Sequence, residues 1–276
     1  MSVYERLQVV SASTLERIIK PYRSAEARRR RCGTKPGTII RTQVPIRTNF
    51  DDINRLGFFE FDSVAHCGGS MLGPLTWTVT GTDIVSGWTE NRAVWNRMAE
   101  GTRDQIRDVE QNLPFALLGA DADNGGEFLN RILIKYFLDR NEPAPFTRAR
   151  SYQKNDQAHV EQKNYSLVRQ FVGYERLDSI ETVDALNDLY RQEWSLFFNH
   201  FMPCEKLLSK EKVGSKIVKT YDRPKTPYQR VLESPYIADD VKDKLRQVHA
   251  TLNPYQLKHA IERKLRYVYT LNHKAA

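Results

Sequence analysis

The chain has 276 residues with 40% hydrophobic residues and a mean hydropathy of −0.59, enough for one good-sized domain with appendages. No apolar stretch approaches the roughly 18 residues of a membrane span, and the N-terminus lacks the apolar block of a signal peptide, so residence in the cytoplasm is expected. The three scattered cysteines, Cys32, Cys67 and Cys204, argue against a disulfide framework and a paired-cysteine zinc site.

The net charge of +8 is partitioned. Residues 1–48 carry 11 Lys/Arg against 3 acids, residues 49–204 carry 15 against 23, and residues 205–276 carry 16 against 8. An acidic centre between two basic wings suits a protein that grips a polyanion with its ends and works on it with carboxylates in the middle. These limits define three expected regions: a basic N-terminal helix and linker (1–48), an acidic core (49–204) and a basic C-terminal region (205–276).

The segment from Ser11 to Lys20 opens with capping residues, continues at helical spacing and ends at Pro21. Its Ser-x-x-Thr-Leu-x-Arg pattern resembles the recognition helix of a helix-turn-helix, with an ordinary linker helix as the alternative. Arg28, Arg29, Arg30, Arg31 and Lys35 follow in a turn-rich connector whose expected partner is phosphate. Strands are predicted over 58–64, 75–82 and 88–94 from aromatic and β-branched residues separated by Gly-containing turns. A helix over 95–113 ends at Pro114, and a buried strand runs over 115–122. Next come a helix over 126–139, a short strand at 145–148, a long helix after Asn155 or Asp156, and another over 182–201. Two helices, about 238–251 and 254–271, close the chain. Three strands, helix, strand, helix, strand, helix describes an α/β fold: a ribonuclease H-like mixed five-stranded sheet flanked by helices, with a basic N-terminal arm and a basic, mainly helical C-terminal region.

Three acids are set apart by their contexts. Asp62 lies in an aromatic-rich strand, Asp123 at the tip of the strand that runs into Asn124-Gly125-Gly126, and Glu161 on the long helix. A residue at the C-terminal tip of a strand sits in the crevice where α/β sheets bind ligands, which favours Asp123 over Asp121, its neighbour on the same face. Glu161 is displaced by about 100° from Val160, at the edge of the stripe Val160, Asn164, Leu167 and Phe171 expected to face the sheet. Asp156 sits where an N-cap is expected. Converging carboxylates repel one another unless cations hold them. Oxygen ligands without His or Cys favour Mg²⁺ or Mn²⁺, and two such ions about 3.5–4 Å apart activate an attacking hydroxyl and stabilise a leaving oxygen at phosphorus.

With these residues in view, the chain resembles the retroviral-type integrases and the bacterial insertion-sequence transposases of the Asp-Asp-Glu type. Gly57-Phe58-Phe59-Glu60-Phe61-Asp62 looks like the strand bearing the first acid, and the segment from Thr80 to Trp88 like the hairpin after it. Asp123-Asn124-Gly125-Gly126-Glu127-Phe128 looks like the second-acid motif, and the segment from Asn155 to Asn164 like the helix bearing the glutamate. The likeness covers about 52–178 and, for the transposases, extends through 219–230. It implies two Mg²⁺ or Mn²⁺ ions on Asp62, Asp123 and Glu161, cutting at DNA element ends, and transfer of 3′ hydroxyls into target double-stranded DNA. A homo-oligomer assembled on DNA and association with the nucleoid go with it. Two departures stand out: the chain begins at what looks like the last helix of a helix-turn-helix, and no His-His-Cys-Cys zinc module is present. The alternatives are a truncated DNA-binding remnant and a ribonuclease H-like nuclease.

Further candidates are weaker. His66 and Cys67 are read as packing residues near a strand end, and Glu60 and Asp83 as supporting or turn residues. Lys154, Lys163 and Arg169 flank the glutamate as candidate phosphate contacts. Lys206, Lys210, Lys212, Lys216, Lys219, Arg223, Lys225 and Arg230, interleaved with Tyr221 and Tyr228, form a candidate DNA-holding stretch.

Overall fold

The structure, a computed structural model, describes residues 10–11, 14, 17, 38–47, 53–150, 156–213 and 216–273. Most of the helix expected over 11–20, and the candidates Arg28, Arg29, Arg30, Arg31, Lys35 and Lys154, lie outside the described residues. The chain divides into residues 1–34 and 35–276. In the first unit the Thr14 amide donates to the Ser11 carbonyl at 3.0 Å and to Ser11 Oγ at 3.3 Å, the turn expected of a capping serine.

The second unit begins with a short helix, α1 (Thr38–Gln43), and is built on a five-stranded sheet. Its elements are β1 (Phe58–Ala65), β2 (Thr76–Asp83), β3 (Thr89–Trp95), α2 (Ala99–Asn112), β4 (Gly119–Ala122), α3 (Arg131–Leu138) and β5 (Phe146–Arg148). The order across the sheet is β3-β2-β1-β4-β5. The first three strands form an antiparallel meander, and β4 and β5 join β1 in parallel. This is the ribonuclease H-like arrangement that the element order predicts.

Helices cover both faces. One face of the sheet, with Phe59, Phe61, Trp77, Val79, Ala120 and Ala122, packs against Ile106 of α2 and Leu133 and Phe137 of α3. Glycine is favoured at position 81, opposite Phe61 on the neighbouring strand, since a Cβ there would stand 2.5 Å from the Phe61 ring. The opposite face is covered by α4 (Ala158–Lys163), which continues as the π-helix Asn164–Val172, and by α5 (Glu181–Leu189), the π-helix Tyr190–Trp194 and α6 (Ser195–Phe201).

The second face inverts the usual rule for an alternating strand. Thr76, Thr78, Thr80 and Thr82 line it, a pattern that normally marks a solvated side, yet all four are buried. Each hydroxyl has a partner: Thr182 for Thr76, His66 and Tyr190 for Thr78, Asn91 for Thr80 and Thr89 for Thr82. Paired hydroxyls avoid the desolvation cost of burial, so the helices pack directly on a polar strand.

The C-terminal region is wound into the same unit. A two-stranded ribbon, β6 (Leu207–Val213) and β7 (Lys216–Tyr221), precedes α7 (Pro227–Glu233), α8 (Asp239–Thr251) and α9 (Pro254–His273). Tyr228, Val231 and Leu245 join the first core cluster, and Ile261, Leu265 and Val268 of α9 join the second beside Trp194.

Several boundaries depart from expectation for local reasons. Asn96 and Arg97 take left-handed backbone (φ 53 and 54), so α2 starts at Ala99 rather than at residue 95. Asn130 caps α3 by accepting from the Ile132 and Leu133 amides, each at 3.0 Å, which moves that helix start from 126 to 131. Asp156 is not an N-cap. Its carboxylate binds Arg150 through Nε, Nη2 and the backbone amide at 2.7–2.9 Å, a forked pairing that outcompetes capping.

Candidate active site

Two of the three predicted acids meet at the centre of the sheet. β1 and β4 run parallel and their last paired residues are Phe61 and Ala122, so Asp62, still within β1, and Asp123, the first residue past β4, both follow directly on that rung. Glu60 and Asp121 oppose each other one rung earlier on the same face. Neighbouring strands are about 4.8 Å apart, which leaves the two carboxylates within mutual repulsion. Burial pushes the Asp62 carboxyl up to about 7, with the charges of Asp123 and Glu127 adding to it. Burial and the Glu127 charge push Asp123 to about 6.

Each of the two is oriented by its surroundings. Asp62 accepts from the Ser63 amide at 2.7 Å and from Asn164 Nδ2 at 2.7 Å. Asp123 accepts from the Gly125 amide at 2.8 Å, which ties it to the turn after β4. Asn164 is also where the helix loosens from α to π geometry, a change that often accompanies functional positions.

Glu161 sits about one helical turn before Asn164 and is exposed. Gln157, four residues before it on the same flank, donates to Asp121 Oδ2 and to the Phe61 carbonyl, each at 3.4 Å. Glu161 is therefore bracketed on the helix between a residue bound to Asp121 and one bound to Asp62. The Val160 amide donates to Glu60 Oε2 at 3.0 Å, pinning the start of α4 on β1, and His159 Nδ1 lies 2.8 Å from Glu60 Oε1. Among the described residues, no three His, Cys, Asp or Glu side chains stand together as a metal-holding group.

Sequence reasoning did not single out the fourth carboxylate. Glu127 is 3% exposed and belongs to the quoted Asp123 motif, where its spacing of four residues from Asp123 was the available signal. Its Oε1 accepts from Ser63 Oγ at 2.8 Å and from Arg97 Nη1 at 3.0 Å, while its buried Oε2 has no partner among the described residues. A Cβ on Gly125 would lie 2.4 Å from that Oε2 and 2.8 Å from Asp123 Oδ1, so the glycine makes room for both oxygens. Arg97 in turn lies over the Trp77 ring at 4.3 Å, which fixes its left-handed segment.

The remaining candidates disperse. Asp121 accepts from Thr147 Oγ1 at 2.6 Å and from Gln157, and burial together with the Glu60 charge pushes it up to about 7. Asp83 binds the Gly57 and Ser86 amides and the Ser86 hydroxyl, the turn role expected of it. His66 is fully buried with Nε2 2.7 Å from Thr78 Oγ1, as a packing residue should be. Lys163 occupies the opposite flank of α4, half-buried near Cys204 and Arg230. Arg169 stands over the Tyr174 ring at 5.0 Å. Lys212, Lys216 and Lys219 are carried on the exposed β6–β7 ribbon.

No protein-family model matches the chain. It is 38% identical over 229 residues to the uncharacterized protein y4rM of Sinorhizobium fredii, an alignment covering 82% of this chain and 64% of that protein. The chain thus spans less than two thirds of that relative's length. Among solved structures it is similar to a chain of the simian T-cell lymphotropic virus intasome in complex with PP2A regulatory subunit B56 gamma (14% identity, TM-score 0.46, 84% of this chain and 70% of that one). It is also similar to the catalytic core domain of BIV integrase (16%, 0.39, 64% and 95%). A third is the HTLV-2 integrase catalytic core domain in complex with magnesium (13%, 0.38, 53% and 88%).

Proposed function

We propose that the protein is a DNA transposase or integrase of the bacterial insertion-sequence type, a metal-dependent polynucleotidyl transferase with Asp62, Asp123 and Glu161 as its catalytic acids. The observation that carries this reading is that Asp62 and Asp123 each follow directly on the last paired rung of two adjacent parallel strands, with Glu161 on the helix between Gln157, bound to Asp121, and Asn164, bound to Asp62. Strand tips at such a crossover are where α/β sheets bind ligands.

The donor chemistry fits a hard divalent cation. The site offers carboxylate oxygens without a thiolate or imidazole requirement, and a bound cation would offset the burial and mutual repulsion that raise the Asp62 and Asp123 carboxyls. Asp62, Asp123 and Glu161 would hold two Mg²⁺ or Mn²⁺ ions, which would supply activation of the attacking hydroxyl and stabilisation of the leaving oxygen. The chain's own contribution is orientation. Asn164 and the Ser63 amide fix the Asp62 carboxylate, the Gly125 amide fixes Asp123, and Ser63 and Arg97 hold Glu127 beside them.

In this reading water attacks an element end first, then the freed 3′ hydroxyl attacks target duplex, with several copies assembled on the DNA. Residues 49–204 serve as the catalytic core between two basic DNA-gripping regions. The test is joining of a labelled DNA end to a plasmid in Mg²⁺ by the wild type and by Asp62→Ala, Asp123→Ala and Glu161→Ala. Joined product from the wild type alone supports the reading. Cleavage without joining replaces it with a nuclease, and DNA binding with no difference between wild type and Asp62→Ala replaces it with a binding remnant.

A further inference from the structure

The β6–β7 ribbon is an unusual element for a chain this polar. Nearly every residue of both strands is exposed, and an isolated two-stranded hairpin is marginal in water. Cross-strand pairing sorts its charges by face. Lys210 opposes Lys219 and Lys212 opposes Ile217, so these four share one face with Tyr221. The alternate rungs, Glu211 with Val218 and Val213 with Lys216, put the ribbon's one acid on the other face with Lys216. One face therefore carries three lysines and a tyrosine with no carboxylate, and the other is neutral.

Like charges directly opposite destabilise a ribbon, and Lys210 and Lys219 are such a pair. Among the described residues no carboxylate pairs with Lys210, Lys212 or Lys219. The arm is nevertheless firmly rooted. Arg230 grips Asp222 through Nη1 at 2.6 Å and donates to the Cys204 carbonyl at 2.8 Å, and Asp222 accepts from the Lys206 amide at 2.7 Å. Lys206 Nζ donates to the Ile84 and Val85 carbonyls in the turn between β2 and β3. A rigid root and a bare cationic face are what a pre-organised anion-binding arm needs, because little ordering remains to be done on binding.

We propose that the β6–β7 ribbon is a duplex-DNA arm that lays its Lys210/Lys212/Lys219 face along a groove, with Lys216 on the far side as a bystander. A two-stranded ribbon matches the width of the major groove, and lysines set against phosphates supply salt-dependent affinity. The inference rests on the proposed action on DNA and adds where the duplex is held.

The test measures binding of the full chain to a labelled 30-base-pair duplex in EDTA across a salt series, so that no cutting or joining enters. The expected result is that Lys210→Ala/Lys212→Ala/Lys219→Ala weakens binding at least tenfold at low salt. The slope of log K against log salt should fall by about 2.7, at roughly 0.9 per lost phosphate contact. Lys216→Ala should change neither appreciably, and all variants should melt with the wild type. Equal binding by wild type and triple variant overturns the proposal, as does an equal loss in Lys216→Ala or a wild type that ignores duplex DNA. A triple variant that binds DNA normally but loses self-association also overturns it, assigning the ribbon to a second copy of the chain. Ribbon-dependent binding in EDTA without end joining in Mg²⁺ would sink the catalytic reading and leave the arm standing.

Discussion

Asn164 Nδ2 donates to Asp62 Oδ2 at 2.7 Å, while Asn164 Oδ1 is buried without a partner among the described residues. One amide thus ties the helix that bears Glu161 to the strand that bears the first acid. Its other end is free to exchange roles when the charge on Asp62 is removed.

The first prediction concerns that charge. The Asp62 carboxyl is raised from 3.8 to about 7, so in the fold it resists ionisation that the unfolded chain undergoes freely. Deprotonation then favours unfolding across that window, and the penalty grows as pH rises from about 4 and is complete above about 7. Asp62→Asn, with the Asn164 amide turned over, should raise Tm at pH 8 by on the order of 5 °C and change it little at pH 4. Mg²⁺ should raise the wild-type Tm at pH 8 and leave that of Asp62→Asn unmoved. Equal pH profiles for the two proteins would refute the assignment.

Glu161 should behave differently because it is exposed. Glu161→Gln is expected to keep the wild-type Tm, since surface changes stay within about 0.5 kcal/mol, while abolishing end joining. Asn164→Ala should act through Asp62 instead and lower Mg²⁺ affinity by about 10–100-fold, as removal of an orienting partner does. Isothermal titration of Mg²⁺ separates the two, and a Glu161→Gln protein that joins ends normally removes Glu161 from the mechanism.

A side chain at Gly125 is predicted to disturb the acids rather than the fold. Its Cβ would fall 2.4 Å from Glu127 Oε2 and 2.8 Å from Asp123 Oδ1, displacing both carboxylates. Gly125→Ala should lose Mg²⁺-induced stabilisation with the fold retained, and Glu127→Gln should preserve it better than Glu127→Ala by keeping the Ser63 bond. Circular dichroism with and without Mg²⁺ reads the outcome. A Gly125→Ala protein still stabilised by Mg²⁺ would show that the two oxygens need not share that space.

A fourth expectation is acid sensitivity at the seam between α6 and α8. His200 Nδ1 lies 3.1 Å from His249 Nδ1, Tyr228 stacks on both rings, and burial with the His249 charge lowers His200 from 6.5 to about 4. The fold holds this ring neutral, so its stability is fully present above about pH 6.5 and drains away as pH falls toward 4. His200→Phe keeps the stack and removes the proton site. Its Tm should fall less than the wild type's between pH 7 and pH 4.5, and identical slopes would exclude His200 as the titrating group.

The first three strands were legible because each is a run rich in aromatic and β-branched residues set off by glycine-containing turns, and the observed starts of all five lie within a residue or two of the predicted ones, except for β4. That strand begins at Gly119 rather than 115, where Leu118 N bonds the Gly57 carbonyl and the chain first meets β1. The ribbon was missed although β7 carries Ile217, Val218, Thr220 and Tyr221, because the interleaved lysines and Glu211 read as a charged stretch and the ribbon is anchored by the distant root at Asp222, Arg230 and Lys206. The threonine ladder of β2 likewise announces a wet face until distant helices supply hydroxyl and amide partners.

By itself the sequence determined the α/β class, the order of the elements from the first strand of the sheet to residue 201 and which acids to compare, because periodicity and turn chemistry are local properties of the chain. Tertiary structure alone decided that Asp62 and Asp123 follow on the same last rung of adjacent strands, that Glu127 is buried beside them and that Asp156 belongs to Arg150. It also decided that three lysines face one way from a ribbon. Apart from the pairing of Asp156 with Arg150, a contact between residues six apart in the chain, these depend on strand register or on contacts between residues far apart in the chain, and a register shift of one residue would turn every side chain to the other face.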